Sequence, residues 1–324
     1  MQGKTKKDYF DLIKAKYQKC LEPTETCIAN AIRAHSVQNS RVLELIAENG
    51  HVIMPELSHN SSGRPLLEFK LVGRNYASTF LGLCSKHDTE IFRPIEQNEL
   101  EFSKPEHTFL LAYRSVFKEA HACFESACKI RSGYIQRVES GLSPRDKPDK
   151  AGLQAIAWLC NASDMYLYKR KYDEAYLSRD FTRVSHVTIK IDDVSPSIAA
   201  SALFSLDDID RPDDVARIAL NIFPYKGNIM VLFSFLKEEA SYAYQYIRRI
   251  TDSSGYFQKY LISKMILQHC MNFVISPQFY NQMTKEQKRA IETFFVETIF
   301  INKHDFENKH LYLFWDKRRE MANN

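Results

Sequence analysis

The stretch IALNIFPYKGNIMVLFSF, residues 218–235, carries the clearest structural signal in the sequence. Two apolar runs, Ile218–Phe223 and Ile229–Phe235, flank Pro224–Asn228, whose Pro, Gly and Asn are typical turn residues. This pattern predicts an antiparallel β-hairpin. Upstream, Val184–Ile191 alternates apolar with polar residues, which predicts a half-buried strand.

Helical patterns surround these strands. From Pro105 onward, apolar residues recur at three- and four-residue intervals over some five turns, and residues 151–175 return to the same pattern. Glu238–Ile301 is also predicted to be helical, with the capping box Thr284-Lys-Glu-Gln287 opening its last helix. Four cysteines in these regions are predicted to lie in or near the core: Cys123, Cys128, Cys160 and Cys270.

Two ligand pairs in the N-terminal part of the chain indicate a metal site. Cys20-x6-Cys27 is followed much later by Cys84-Ser-Lys-His87. Two such pairs can converge on one tetrahedral zinc ion, because zinc prefers thiolate and imidazole ligands. Cys-x6-Cys is wider than a usual zinc knuckle, so either Cys20 or Cys27 is alternatively an ordinary buried cysteine.

Composition and length fit a packed protein of about two domains. The chain has 324 residues, 44% of them hydrophobic and 26% charged, with 10 Gly and 11 Pro, which excludes disordered and collagen-like classes. We predict an α+β fold. Residues 1–104 form a small, irregular, zinc-stabilised module, and residues 105–324 a larger, mainly helical domain with a few antiparallel strands near 184–235. Within the first module, Lys4–Lys19 and Ile28–Ala47 are predicted to be helical.

Charge and targeting signals narrow the function. The net charge of +4 is too small to indicate nucleic-acid binding by itself. The polar start Met1–Asp8 lacks an apolar signal-peptide core, and no stretch approaches about 18 apolar residues. We therefore expect a cytoplasmic protein with reduced cysteines and no membrane partner. Phosphate loops, nucleophile elbows and His-Glu-x-x-His motifs are absent, which excludes nucleoside triphosphatases, serine hydrolases and zinc proteases.

The order of candidate residues carries a family resemblance. His35 and His51 follow the first cysteine pair, and Asp88 follows His87. This order resembles the treble-clef zinc modules of HNH-type (ββα-metal) nucleases, over about 75 residues. The resemblance implies hydrolysis of nucleic-acid phosphodiesters, with His35 as general base and His51 as the competing candidate. Asp88 would then face a divalent metal such as magnesium. The sequence departs from the family at Ala34, where an acidic residue is usual.

A second resemblance covers longer segments. The runs FLGLCSKHDTEIFRPIE at 80–96, AHSVQ at 34–38 and FLLAYR at 109–114 are similar to segments shared by a group of bacterial proteins. That resemblance implies a bacterial origin and an accessory or phage-defence role.

Two alternative functions stay open. His35-Ser-Val-Gln-Asn39, followed by a helical pattern and Gly50, loosely resembles the start of ADP-ribosyltransferases that modify nucleic acid. This implies an NAD-dependent reaction with Glu96 or Glu119 as the acidic residue. The third hypothesis is a non-catalytic, zinc-stapled interaction protein. Nucleic acid is the favoured ligand, and the helical domain is predicted to serve protein-partner binding or regulation.

One aromatic cluster has two interpretations. Tyr256, Phe257 and Tyr260 could stack bases beside Arg248 and Arg249. Aromatic residues at helical spacing normally fill a core, however, and paired arginines normally lie on a solvated face. The sequence therefore favours a structural role for this cluster.

Overall fold

A computed structural model describes residues 16–59, 65–206, 216–301 and 308–317. The structure is 50% helical and 25% strand, with an antiparallel sheet, which confirms the predicted mixture of helices and antiparallel strands. The eight described helices are α1 (Glu44–Ile46), α2 (Ser85–Gln97), α3 (Pro105–Glu139), α4 (Lys150–Ser178), α5 (Ala240–Thr251), α6 (Gly255–His269), α7 (Pro277–Gln282) and α8 (Lys285–Ile301). The described strands are β1 (Arg33–His35), β2 (His51–His59), β3 (Pro65–Gly73), β4 (Thr79–Leu81), β5 (Val184–Ile191), β6 (Val194–Ser195), β7 (Ile198–Leu206), β8 (Ala216–Tyr225), β9 (Asn228–Leu236), β10 (Phe273–Ile275) and β11 (Trp315–Asp316).

The main sheet has seven strands in the order β3-β2-β10-β7-β8-β9-β5, and every neighbouring pair is antiparallel. The predicted hairpin is confirmed as β8–β9, in which Tyr225 pairs with Asn228. Lys226 and Gly227 form the two-residue turn, with φ angles of 48° and 79°. Positive φ at both central positions matches the twist of the flanking strands, which fixes the hairpin register.

The central strands are buried on both faces. One face of β8 packs in a core with Ile247 of α5, Ile266 of α6 and Phe294 of α8, all fully buried. On the other face, Phe223 and Met230 pack in a second cluster. Strands covered on both faces read as continuous apolar runs rather than as alternating ones. The predicted half-buried strand at residues 184–191 is confirmed as the edge strand β5.

The N-terminal region differs most from its prediction. Residues 51–73 contain the hairpin β2–β3 within the main sheet, although the sequence predicts an irregular module there. The predicted helix at Ile28–Ala47 is wrong: the segment contains β1, a π-helical turn at Asn39–Leu43 and the short α1. Ile28 is 101% exposed, so its spacing reflects no helix face. The predicted helix Lys4–Lys19 falls mostly outside the described residues.

The long helices agree with their predictions. Helix α3 begins at the predicted Pro105, and α4 covers residues 151–175. The Asp149 side chain accepts a hydrogen bond from the Gly152 N–H at 3.0 Å and so caps α4. The prediction of a core or near-core position is confirmed for Cys270, which is buried, and for Cys123, which is partly buried, but it is wrong for Cys128 and Cys160, which are exposed.

The chain folds into two compact units. Unit 1 comprises Met1–Ala34, Phe80–Arg93 and Val116–Asp180, and unit 2 comprises His35–Thr79, Pro94–Ser115 and Phe181–Asn324. The seven-stranded sheet belongs to unit 2. Residues of the predicted module 1–104 contribute to both units, because the segments at 35–79 and 94–104 belong to unit 2.

His186 makes the stability of unit 2 sensitive to acid. It lies on β5, with Nδ1 2.8 Å from the Ser234 hydroxyl on β9, and burial lowers the pKa of His186 to about 4. An unfolded histidine titrates near 6.5, so the unfolded chain binds the proton first and acid favours unfolding. Stability from His186 is fully present above pH ~6.5 and lost as pH falls towards 4.

We expect the free energy of unfolding to fall by about 2 kcal/mol more in wild type than in His186→Gln between pH 7 and pH 5. Urea denaturation at both pH values, monitored by circular dichroism, measures this difference. Equal losses in the two proteins would show that His186 does not carry the effect.

Candidate metal centre

Four predicted ligands meet at one point in unit 1. The donor atoms of Cys20, Cys27, Cys84 and His87 all lie within 4.8 Å of one another. His87 Nδ1 is 3.5 Å from Cys20 Sγ and 3.3 Å from Cys84 Sγ. The sulfur atoms of Cys27 and Cys84 are 3.9 Å apart. The predicted convergence of the two ligand pairs is therefore present in the structure.

These separations match the edges of a zinc tetrahedron. With Zn–S bonds of about 2.3 Å, a regular tetrahedron has S···S edges of about 3.8 Å. With a Zn–N bond of about 2.0–2.1 Å, its S···N edges are about 3.5–3.6 Å. The three distances given above are therefore compatible with an ion held by these donors, and three sulfurs with one imidazole are a donor set that zinc accepts.

A buried carboxylate shapes the loop between Cys20 and Cys27. Glu22 is almost fully buried and accepts hydrogen bonds from the backbone N–H groups of Thr24, Thr26 and Cys27 at 2.7, 2.6 and 2.9 Å. Burial opposes ionisation of Glu22, but the Thr24 side chain and these N–H groups outweigh it and lower its pKa to about 2. The carboxylate thus folds a six-residue spacer into a compact loop that returns Cys27 to Cys20.

The second ligand pair belongs to the start of a helix. Cys84 directly precedes α2, and His87 lies in its first turn, three residues later. Residues three apart share one helix face, so both side chains point to the same place. The Cys84 N–H donates to Cys20 Sγ at 3.2 Å. Burial raises the pKa of the Cys84 thiol, but N–H groups of His87 and Lys86 help to lower it below its ordinary value.

Backbone hydrogen bonds join the two ligand-bearing segments. The Leu21 N–H donates to the Gly82 carbonyl at 2.9 Å, and the Ile32 N–H donates to the Leu83 carbonyl at 2.8 Å. Burial raises the pKa of the Cys20 thiol to about 12, so a cation is needed to hold this cysteine as a thiolate. The ligand geometry is preformed, whereas the charge state of the site depends on the ion.

The predicted catalytic residues belong to different compact units. His35 and His51 belong to unit 2, and Asp88 belongs to unit 1. Asp88 follows His87 in the first turn of α2, where its N–H donates to the Cys84 carbonyl at 2.9 Å. Within the described ranges, the Cys/His cluster is the only group of three or more such ligands close enough to hold an ion. The predicted divalent-metal role of Asp88 stays a prediction.

The two histidines have different surroundings. His35 is half-buried at the end of β1, and its Nε2 donates to the Arg74 carbonyl at 3.1 Å. Burial lowers the pKa of His35, and the positive charge of Arg114 lowers it further. The hydrogen bond to the Arg74 carbonyl and the negative charge of Glu96 oppose this shift without cancelling it. His51 is exposed at the start of β2, with Nδ1 2.8 Å from the Asn49 carbonyl. Of the two histidines, His35 is the more buried, and its burial favours the neutral imidazole that a general base requires.

A buried arginine near His35 was not anticipated from the sequence. Arg114 is almost fully buried, and its Nη2 donates to the Glu96 carboxylate at 2.5 Å. It lines a small cavity of about 30 Å³ together with Ser36 and Asn221, enough for roughly two water molecules. Glu119, the other predicted acidic residue, lies in unit 1 and pairs with Lys118. The sequence signal for the buried position of Arg114 is a single arginine within the apolar pattern of a helix.

Comparison with protein-family models, curated proteins and solved structures finds no match to this chain. Among the helices that the structure describes, none is both long and apolar enough to span a bilayer.

Proposed function

We propose that the protein is a zinc-stapled, nucleic-acid-binding protein whose zinc ion is structural. The observation that carries the proposal is the convergence of Cys20, Cys27, Cys84 and His87 within 4.8 Å. Four protein donors close all the positions of a tetrahedral ion, whereas catalytic zinc sites keep one position for water or substrate. The ion would tie the Glu22 loop to the first turn of α2.

The nucleic-acid part of the proposal rests on a resemblance in the sequence. A loop with two cysteines is followed by β1, later by β4, and then by α2, whose start carries the second ligand pair. The order of the Cys and His residues in the sequence resembles the treble-clef modules of HNH-type nucleases, which act on nucleic acid. A phage-defence role rests on the same kind of resemblance and stays a prediction.

Phosphodiester hydrolysis is the second candidate function, and the environment of His35 favours it. Because its Nε2 donates to the Arg74 carbonyl, Nδ1 of the neutral ring is the proton-accepting atom. Its lowered pKa keeps the ring neutral at pH 7 and therefore able to accept a proton from water. ADP-ribosyl transfer would use the same histidine with Glu96.

Elemental analysis of the purified protein tests the zinc site. We expect one zinc ion per chain in wild type and none in Cys84→Ser, because a hydroxyl is a poor zinc ligand. Cys160→Ser is the matched control, since Cys160 is an exposed cysteine of the same unit outside the cluster. Wild-type protein that holds no zinc even after it is refolded with added zinc would overturn the proposal.

Plasmid cleavage with added magnesium separates the catalytic candidates. If His35 is the base, His35→Ala should slow cleavage by roughly 10²- to 10⁴-fold, and His51→Ala should not. The opposite pattern would place the base at His51. Cleavage that neither substitution changes would exclude both histidines, and release of nicotinamide from NAD without cleavage would favour ADP-ribosyl transfer.

A further inference from the structure

Four aromatic rings form a row that extends from the core of unit 2 to its surface. Tyr312 and Tyr256 have ring centroids 5.0 Å apart and planes inclined by 13°. Tyr256 and Tyr260 follow at 6.4 Å and 16°, and Tyr260 and Phe257 at 6.3 Å and 17°. Such small angles at these separations describe parallel, offset rings. We call Tyr312, Tyr256, Tyr260 and Phe257 the aromatic row.

The row has a buried side and an exposed side. Tyr312 is buried and Tyr260 is half-buried, whereas Tyr256 is 47% and Phe257 44% exposed. The core role favoured by the sequence is therefore wrong for Tyr256 and Phe257. The Tyr256 hydroxyl donates to the Lys309 carbonyl at 3.1 Å, which fixes the orientation of its ring. Two exposed rings on a fixed base form a preorganised stacking surface.

Cationic groups lie at both ends of the row. The Arg249 guanidinium is 5.5 Å from the centroid of the Phe257 ring. At the other end, Tyr256 and Tyr312 line an open groove of about 390 Å³ with Lys309 and His310. That volume falls in the range of about 300–1,000 Å³ typical of ligand sites. Thr284 and Gln287 add hydrogen-bonding groups to the groove.

Parallel aromatic faces between cations suit one class of ligand. Bases of single-stranded nucleic acid stack on such rings, and their phosphates need cations beside the stack. In a duplex, the neighbouring base pairs cover the faces of each base, so a duplex cannot stack on this surface in the same way. An apolar peptide would cover the rings but would leave the flanking cations without a negatively charged partner.

We propose that the aromatic row is a binding surface for single-stranded nucleic acid. Bases stack on Tyr256 and Phe257, and Arg249 and Lys309 neutralise the phosphates. Because every base has a stacking face, this surface tolerates different sequences. The inference rests on the nucleic-acid part of the proposed function and assigns that binding to a surface of unit 2, apart from the zinc ligands of unit 1.

Fluorescence anisotropy with labelled oligothymidylate and oligouridylate of about 16 nucleotides tests the surface. We expect Tyr256→Ala and Phe257→Ala each to weaken binding by roughly five- to hundredfold, the loss of one stacked base. Tyr256→Phe keeps the ring and should stay within roughly threefold of wild type. Zinc content and circular dichroism of every variant show that it remains folded.

The arginines provide a matched pair for the charge. Arg249→Gln should reduce the slope of log affinity against log salt by about 0.7, the value for one phosphate contact on a single strand. Arg248 precedes it on α5 but pairs with Asp252 at 3.1 Å, so Arg248→Gln should leave the slope unchanged. Equal effects of the two substitutions would contradict a local contact at Arg249.

The outcomes separate the two proposals. Wild-type protein that binds neither oligonucleotide would overturn the aromatic-row inference. Wild-type protein that binds neither the single strands nor a duplex hairpin would also overturn the nucleic-acid part of the proposed function, while the zinc measurement stands independently. Binding that the Tyr256 and Phe257 substitutions leave unchanged would overturn the aromatic-row inference alone. Tighter binding to duplex than to single strand, measured with a hairpin of the same length, would overturn the single-strand assignment.

Discussion

Removing zinc is expected to expose the backbone amides of residues 20–34 and 80–93 to hydrogen exchange, raising their exchange rates by several orders of magnitude. The ligand-bearing segments are joined by the Leu21–Gly82 and Ile32–Leu83 backbone hydrogen bonds and by the short sheet of β1 and β4. Structural zinc contributes apparent binding free energies of about 10–16 kcal/mol in small zinc-binding peptides. Loss of the ion would therefore remove a large part of the free energy that holds the two segments together.

Hydrogen-exchange mass spectrometry on wild type, chelator-treated wild type and Cys84→Ser measures this effect. Amides of β8 and β9 should keep their protection in all three samples, because these strands lie in the core of unit 2. Cys160→Ser should behave as wild type. Full protection of residues 20–34 after verified zinc loss would show that the Glu22 loop is stable without metal.

The convergence of Cys20, Cys27, Cys84 and His87 could be predicted because the information is local at each pair. Cys84 and His87 lie three residues apart on a helix start, a spacing that fixes their geometry in the sequence itself. The Cys20–Cys27 spacing looked too wide because the role of Glu22 is invisible in the sequence. A carboxylate that folds its own loop through backbone N–H groups is recognised only when the loop conformation is known.

The same distinction applies to the fold. The β8–β9 hairpin depends on two apolar runs and a two-residue turn, all within twenty residues, and it was predicted. The hairpin β2–β3 was missed, since Pro55 inside β2 argues against a strand. Its place in the sheet depends on β10, where Ile275 pairs with Ile53. A pairing across more than two hundred residues leaves no signal in a local pattern.

The sequence order of the predicted catalytic residues does not show to which compact unit each belongs. His35, His51 and Asp88 form an ordered series in the sequence, but they lie in two compact units. The aromatic row shows the converse case, because Tyr256 and Phe257 have core-like spacing and yet are exposed. Both cases depend on tertiary packing, which determines the unit to which a residue belongs and whether its side chain is buried. A local sequence pattern does not record this packing.

Breaking a buried ion pair in unit 1 is expected to produce the second large effect. Lys169 and Asp173 lie one turn apart on α4, with Nζ 2.8 and 2.9 Å from the two carboxylate oxygens. Their side chains are only 3% and 1% exposed. Lys169 Nζ also lies 5.1 Å from the centroid of the buried Phe117 ring. Both charges of this pair have therefore been taken out of water.

Asp173→Ala should lower the free energy of unfolding by about 3–5 kcal/mol, because it leaves the Lys169 ammonium buried without its carboxylate. The pair Glu125–Lys129 on α3 is the matched control, with the same four-residue spacing and a distance of 2.9 Å but partial exposure. Glu125→Ala should cost less than about 1 kcal/mol. Thermal and urea unfolding of the two variants, followed by helical circular dichroism, measures the contrast.

The double variant Lys169→Met/Asp173→Leu decides whether the cost of Asp173→Ala comes from an unpaired charge or from a lost attraction. Replacing both partners with apolar side chains of similar size removes the desolvation penalty along with the ion pair. We therefore expect the double variant to be more stable than Asp173→Ala, and close to wild type. A double variant as unstable as Asp173→Ala would mean that packing around Tyr168 and Tyr172, the neighbouring buried rings of α4, depends on the ion pair itself.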